Sequence, residues 1–205
     1  MRTPFVVLTG NLAVGKTTFA ERLRDRFGWW VGYESVDDNP YLQDFYIDMK
    51  QWSFHLQLYF LSHRSLIYQE AAAHQEGAVI DGNIYADRYV FAAHLYKSGH
   101  ISERDFVVYD QLHQFLVQHL PQPSLVIHVT ADVATIRQRL IERGQAFDQD
   151  VDGPYLSAIA DRFSRTLPMF AHAPVLTLDS TTADFRTSID EPRLKRVLDQ
   201  VEAML

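Results

Sequence analysis

The sequence contains no cysteine. That excludes a disulfide framework and any thiolate metal site. No apolar run approaches the roughly 18 residues that a membrane-spanning helix needs. The run at residues 5–8 is also too short for the core of a secretory leader. Basic residues are outnumbered, with 19 Lys and Arg against 26 Asp and Glu and a net charge of −7. Such a balance does not suit a protein that wraps long nucleic acid, because neutralising phosphates takes a basic surface. One nucleotide in a small basic pocket is still compatible with it. Internal repeats and low-complexity segments are absent. Nine histidines are present, but none pairs with another His or an acid at H-x-x-x-H or H-E-x-x-H spacing. The expectation is a soluble, cytoplasmic protein with neither a membrane nor a nucleic-acid polymer among its partners.

What is there suits one domain, residues 1–205, with 47% hydrophobic and 22% charged residues. Apolar runs that fit buried parallel strands recur at 5–9, 29–33, 78–80, 125–129 and 175–178. Helical periodicity covers 16–27, 47–75, 85–96, 103–119, 133–143, 155–170 and 192–204. Strands alternating with helices predict an α/β fold with a five-stranded parallel sheet flanked by helices. The breakers agree: Gly28 follows the first helix, Gly77 precedes the third strand, and Pro121 and Pro123 precede the fourth. Aromatics make up 13% of the chain and many fall between Trp29 and Phe60. They could stack a flat ligand or simply fill a core.

Gly10, Asn11, Leu12, Ala13, Val14, Gly15, Lys16 and Thr17 match G-x-x-x-x-G-K-[ST] between the first strand and the first helix. The glycines let backbone N–H groups turn toward phosphate oxygens, and the helix N-terminus adds its positive end. Lys16 is expected to bridge the β- and γ-phosphates, and Thr17 to place its hydroxyl on Mg²⁺. The bland reading is a tight glycine turn beside a surface lysine. Two acids follow strand ends, Glu34 after the second and Asp81 after the third. One carboxylate to take a hydroxyl proton and another near Mg²⁺ is what phosphoryl transfer to a hydroxyl wants, and strand-end capping is the alternative.

Further residues resemble the deoxyribonucleoside kinase family. They are the stretch from Glu34 to Leu42 with Phe45 and Tyr46, then Trp52, Ser53, Phe54 and Gln57, then residues 84–92 and the Arg-rich segment 137–149. The resemblance implies a P-loop kinase fold with an arginine-containing lid at about 137–152. It implies ATP as donor, Mg²⁺, and a nucleoside acceptor. Glu34 takes the position of the general base, Gln57 faces the base edge, and Phe91 and Trp52 wall its pocket. Tyr46 touches the sugar 3′-hydroxyl, with Asp148 beside it. Lys16, Asp81, Arg139 and Arg143 complete the catalytic set, and Thr17 and Asp81 hold the metal. Thr18, Asp184 and Phe185 join the P-loop, Arg139 and Arg143 on the donor side. Arg64 and Asp87 match the pair of relatives that accept purines or cytosine, which favours a purine deoxynucleoside or deoxycytidine. A buried structural ion pair is the competing reading.

The pattern breaks in two places. Gly82 stands where the family has arginine, and Gln145 replaces a lid arginine. Returning arginine to position 82 is therefore expected to raise activity. Two other readings stay open, a nucleoside monophosphate kinase and a weakly active nucleotide-binding regulatory subunit. The helices at 47–75 and 103–119 could supply a homodimer face, and a heterodimer with a related kinase is possible on the same grounds.

Overall fold

The computed structural model describes residues 3–34, 38–144, 151–170 and 173–205. Five strands form one parallel sheet: β1 (Phe5–Thr9), β2 (Trp30–Gly32), β3 (Ala78–Asp81), β4 (Leu125–Thr130) and β5 (Val175–Asp179). Their spatial order is β2-β3-β1-β4-β5. β1 lies between β3 and β4, with Leu8 opposite Asp81 on one side and Ile127 on the other.

Alternation along β1 builds a three-layer sandwich. Val6 and Leu8 face one core with Phe19, Ala20 and Leu23 of α1 (Lys16–Phe27), Ile136 and Leu140 of α7 (Val133–Arg143), and Leu194, Leu198 and Val201 of α9 (Pro192–Ala203). Phe5 and Val7 face the other core. There they meet Leu61 and Tyr68 of α3 (Met49–Ala71), Tyr109 of α6 (Glu103–Val117), and Ile159 and Phe163 of α8 (Gly153–Phe170). β5 is an edge strand, and only Leu176 and Leu178 of it turn inward.

Two expected helices differ in the structure. The helix expected over 47–75 spans 49–71, because the backbone at Asp48 (φ −141°, ψ 86°) leaves the helical region. α2 (Leu42–Ile47) ends there, and the Asp48 carboxylate caps α3 by accepting the Gln51 N–H at 3.0 Å. The helix expected over 85–96 starts at Ile84 under an Asn83 side-chain cap. It runs as α4 (Ile84–Ala86), a π-helical stretch (Asp87–Ala92) and α5 (Ala93–Lys97). The wide π turn carries Asp87 and Phe91, a placement typical of functional segments. Among the described residues no helix is long and apolar enough to cross a membrane.

Candidate active site

A cleft of about 630 Å³ opens at the carboxyl ends of β1, β2 and β3. Open α/β sheets bind ligands at this edge, where the strand order reverses. The loop from Gly10 to Thr17 forms one wall. Gly10 has φ +147°, and a Cβ there would lie 2.1 Å from the Val129 carbonyl oxygen, so a side chain would drive the loop off β4. Ala13 also has a positive φ, 51°, a strained conformation of the kind that clusters at ligand clamps. The Asn11 side chain donates to the Leu156 carbonyl at 2.8 Å and ties the loop to α8. Lys16 Nζ donates to the carbonyls of Asn11 at 2.9 Å and Gly10 at 3.3 Å.

Charge concentrates next to Lys16. The Thr17 hydroxyl donates to Asp81 Oδ2. Asp81 ends β3 almost fully buried, and its Oδ1 has no hydrogen-bond partner. Burial pushes the Asp81 carboxyl up from its ordinary range, while the Lys16 cation pulls it back. Arg64, on α3 and 3% exposed, reaches across. Its Nε donates to Asp87 Oδ2 at 2.5 Å, Nη2 to Glu34 Oε1 at 2.5 Å, and Nη1 to the Asp81 carbonyl at 3.2 Å. Burial opposes the charge on Arg64, but the carboxylates of Asp87 and Glu34 outweigh it and hold the guanidinium protonated. Burial pushes the Asp87 carboxyl up to about 6 against the attraction of Arg64. Glu34, just past β2, keeps about a quarter of its side chain exposed to the cleft.

Tyr46, Gln57, Arg64, Asp87 and Phe91 all line the cleft, as expected of an acceptor pocket. Trp52 does not. Its ring packs on Tyr41 at 5.8 Å and His55 at 5.3 Å instead. Asp148 and Gln145 lie outside the described residues. Leu56, Phe60 and Tyr155 line the cleft without having been picked out in the sequence. Leu56, Gln57, Phe60 and Arg64 share one face of α3 at helical spacing, a signal that was there to read.

On the donor side, residues 145–150 of the lid expected at about 137–152 lie outside the described residues. Arg139 lines the cleft, but its guanidinium braces the loop, donating to the Val14 carbonyl at 3.1 Å and to Ser180 Oγ at 2.9 Å and O at 2.8 Å. Ser180 Oγ itself donates to Val14 O at 2.7 Å. Arg143 lies at the exposed rim, while Arg137 is exposed and lies outside the lining. Thr18, Asp184 and Phe185 line the cleft, and the Phe185 ring sits 4.6 Å from that of Phe19. Arg186, not anticipated from the sequence, pairs with Asp184 at 3.0 Å and Glu142 at 3.3 Å at the same rim.

Position 82 bears directly on an expectation. Gly82 has φ +121°, and a Cβ there would lie 1.7 Å from Arg64 Nη1 and 2.5 Å from its Cζ. The space that a side chain at 82 would occupy is filled by Arg64. Arginine at this position would expel the Arg64 guanidinium from Glu34 and Asp87, so a gain in activity is not the expected result.

Residues 6–205 match the family model of the deoxynucleoside kinases. The chain is 30% identical to the deoxyadenosine/deoxycytidine kinase of Bacillus subtilis, over all of this chain (100%) and 94% of that one. It is 29% identical to the deoxyguanosine kinase of the same organism, over 89% of each chain. The solved structure of deoxyadenosine kinase from M. mycoides with bound dCTP shares the fold, with a TM-score of 0.80, 18% identity, and coverage of 97% of this chain and 99% of that one.

Proposed function

Because the chain belongs to the deoxynucleoside kinase family, we propose that it transfers the γ-phosphoryl group of ATP to the 5′-hydroxyl of a purine deoxynucleoside or deoxycytidine. The observation that carries this reading is the single cleft shared by the phosphate loop and by Glu34 with its partner Arg64. Lys16 and the loop amides bind the β- and γ-phosphates. Glu34 takes the proton of the 5′-hydroxyl as its oxygen bonds to the γ-phosphorus. The bond from that phosphorus to the β–γ bridging oxygen breaks, leaving ADP and the 5′-monophosphate.

Thr17 and Asp81 suit a magnesium ion. The ion would satisfy the orphaned Asp81 Oδ1 and take its other ligands from phosphates and water. Among the described residues no cluster of three or more His, Cys, Asp or Glu offers a fuller cage. Bound there, magnesium would neutralise charge developing on the phosphates.

On the acceptor side, Gln57 Oε1 is buried without a partner and can accept from an exocyclic amino group. Asp87 faces the same space, Phe91 walls it, and Tyr46 meets the sugar 3′-hydroxyl. The names of the two Bacillus relatives support a purine or cytosine base. The reading includes a homodimer, supported by the exposed apolar residues Val108, Leu112 and Phe115 on α6 and Leu66 on α3.

An ATP-coupled assay across the four deoxynucleosides and their monophosphates tests the reaction. Deoxyadenosine, deoxyguanosine or deoxycytidine is expected to be turned over, and the monophosphates are not. In the same assay Glu34→Gln is expected to lose about a hundred-fold or more in kcat while still binding ATP, the range of a lost general base. Turnover confined to monophosphates, or a fully active Glu34→Gln, would sink the reading.

A further inference from the structure

We propose that Arg64 is the positioning residue for Glu34, seated in the space left by the absent side chain of Gly82, so that one guanidinium links the base pocket to the catalytic carboxylate. The inference rests on the reading of Glu34 as the proton acceptor. Its ground is the way Arg64 spends its donors. Nε and Nη2 grip both oxygens of Asp87, at 2.5 and 3.4 Å, and Nη2 also holds Glu34 Oε1 at 2.5 Å. Nη1 closes the third side on the Asp81 carbonyl at 3.2 Å. A lysine could not make this set of contacts, because a single ammonium lacks the planar fork.

The seat of the guanidinium is set by the backbone at the end of β3. The Gly82 N–H donates to the Leu8 carbonyl at 3.1 Å, which pins residue 82 to the end of β1. With that anchor fixed, the first carbon of any side chain at 82 would fall 1.7 Å from Nη1. Arg64 lies between the strand end and the carboxylates, so a side chain at 82 would press on the guanidinium that holds Glu34. An acceptor that engages Asp87 therefore acts on the same cation that aims Glu34. A mismatched base is then felt in kcat as well as in KM.

The test uses the full chain with ATP and its preferred deoxynucleoside. Gly82→Ala is expected to lower kcat by about ten-fold or more, the scale of a misaligned catalytic group, while the KM for ATP stays within about two-fold. Arg64→Lys is expected to show the same split. Arg64→Ala is expected to regain about ten-fold of its lost kcat from added guanidinium at sub-denaturing concentration, but not from equimolar ammonium. The methyl group of the double variant Arg64→Ala/Gly82→Ala closes that seat, so the rescue should disappear. Titration with a non-hydrolysable ATP analogue checks that each variant is folded. Unchanged kcat in folded Gly82→Ala overturns the inference. So does rescue of equal size in the double variant. Either result leaves a wild type that phosphorylates deoxynucleosides untouched, whereas a wild type without that activity removes the underlying reading.

Discussion

His128 on β4 and His113 on α6 are both nearly inaccessible, and burial holds each imidazole down at about 4 against an ordinary 6.5. His113 Nε2 meets the Ile84 carbonyl at 3.1 Å, and the His128 ring stacks on Phe163 at 5.3 Å. In the unfolded chain each takes a proton near 6.5, while in the native state each resists until about 4. Their stabilisation is therefore present above 6.5 and lost as pH falls through that window. Asp87 works in the opposite sense. Its carboxyl is pushed up to about 6, so its contribution is present below the ordinary aspartate range and lost as pH rises through 6. Removing one histidine isolates one contribution. Between pH 7.5 and 5, urea unfolding of His128→Asn should lose about 2 kcal/mol less than the parent, the proton linkage of one imidazole held down at about 4. An equal loss in both proteins would mean that His128 is protonated in the native state. At this scale Lys16, Thr17, Glu34 and Asp81 were legible because each sits in a short motif or at a strand end. Gly82 was not, because its meaning lies in Arg64, on another element. Trp52 misled for the same reason, since Tyr41 and His55 cover its ring.

Among elements, the boundary between α2 and α3 matters most to the acceptor pocket. The helix expected from the sequence begins at Ile47, and α2 before it was not expected. The backbone turn at 48 parts the two helices, and Tyr46 on α2 and Gln57 on α3 line the same cleft. Asp48→Ala removes the cap on Gln51 and should cost about 1 kcal/mol in chemical denaturation. The KM for the deoxynucleoside is expected to rise with little change in the KM for ATP. An unaltered nucleoside KM would show that the turn is held by packing alone. The π stretch was hidden because one widened turn leaves the 3.6-residue pattern nearly intact. The strands were easier. β1, β3 and β4 are short buried apolar runs, and sequence reading placed each within a residue of its observed ends.

Over the whole molecule, alternating strands and helices were enough to expect a five-stranded parallel sheet. The order β2-β3-β1-β4-β5 was not, because it depends on which helix covers which face. The stripe of Val108, Leu112 and Phe115, with Leu66 nearby on α3, is exposed on the single chain. Phe115→Glu should shift the protein in light scattering from twice the chain mass to one chain mass, because a charge at the centre of an apolar interface is costly. A parent that already runs as a single chain would remove the homodimer from the proposed function. The brace on the phosphate loop has a consequence of another kind. Val14 near the N-terminus is held by Arg139 and Ser180, and Phe185 packs on Phe19. Arg139 and Ser180 lie 125 and 166 residues beyond Val14 in the chain. During synthesis the phosphate loop therefore gains its brace only once residues 139–185 have followed it out.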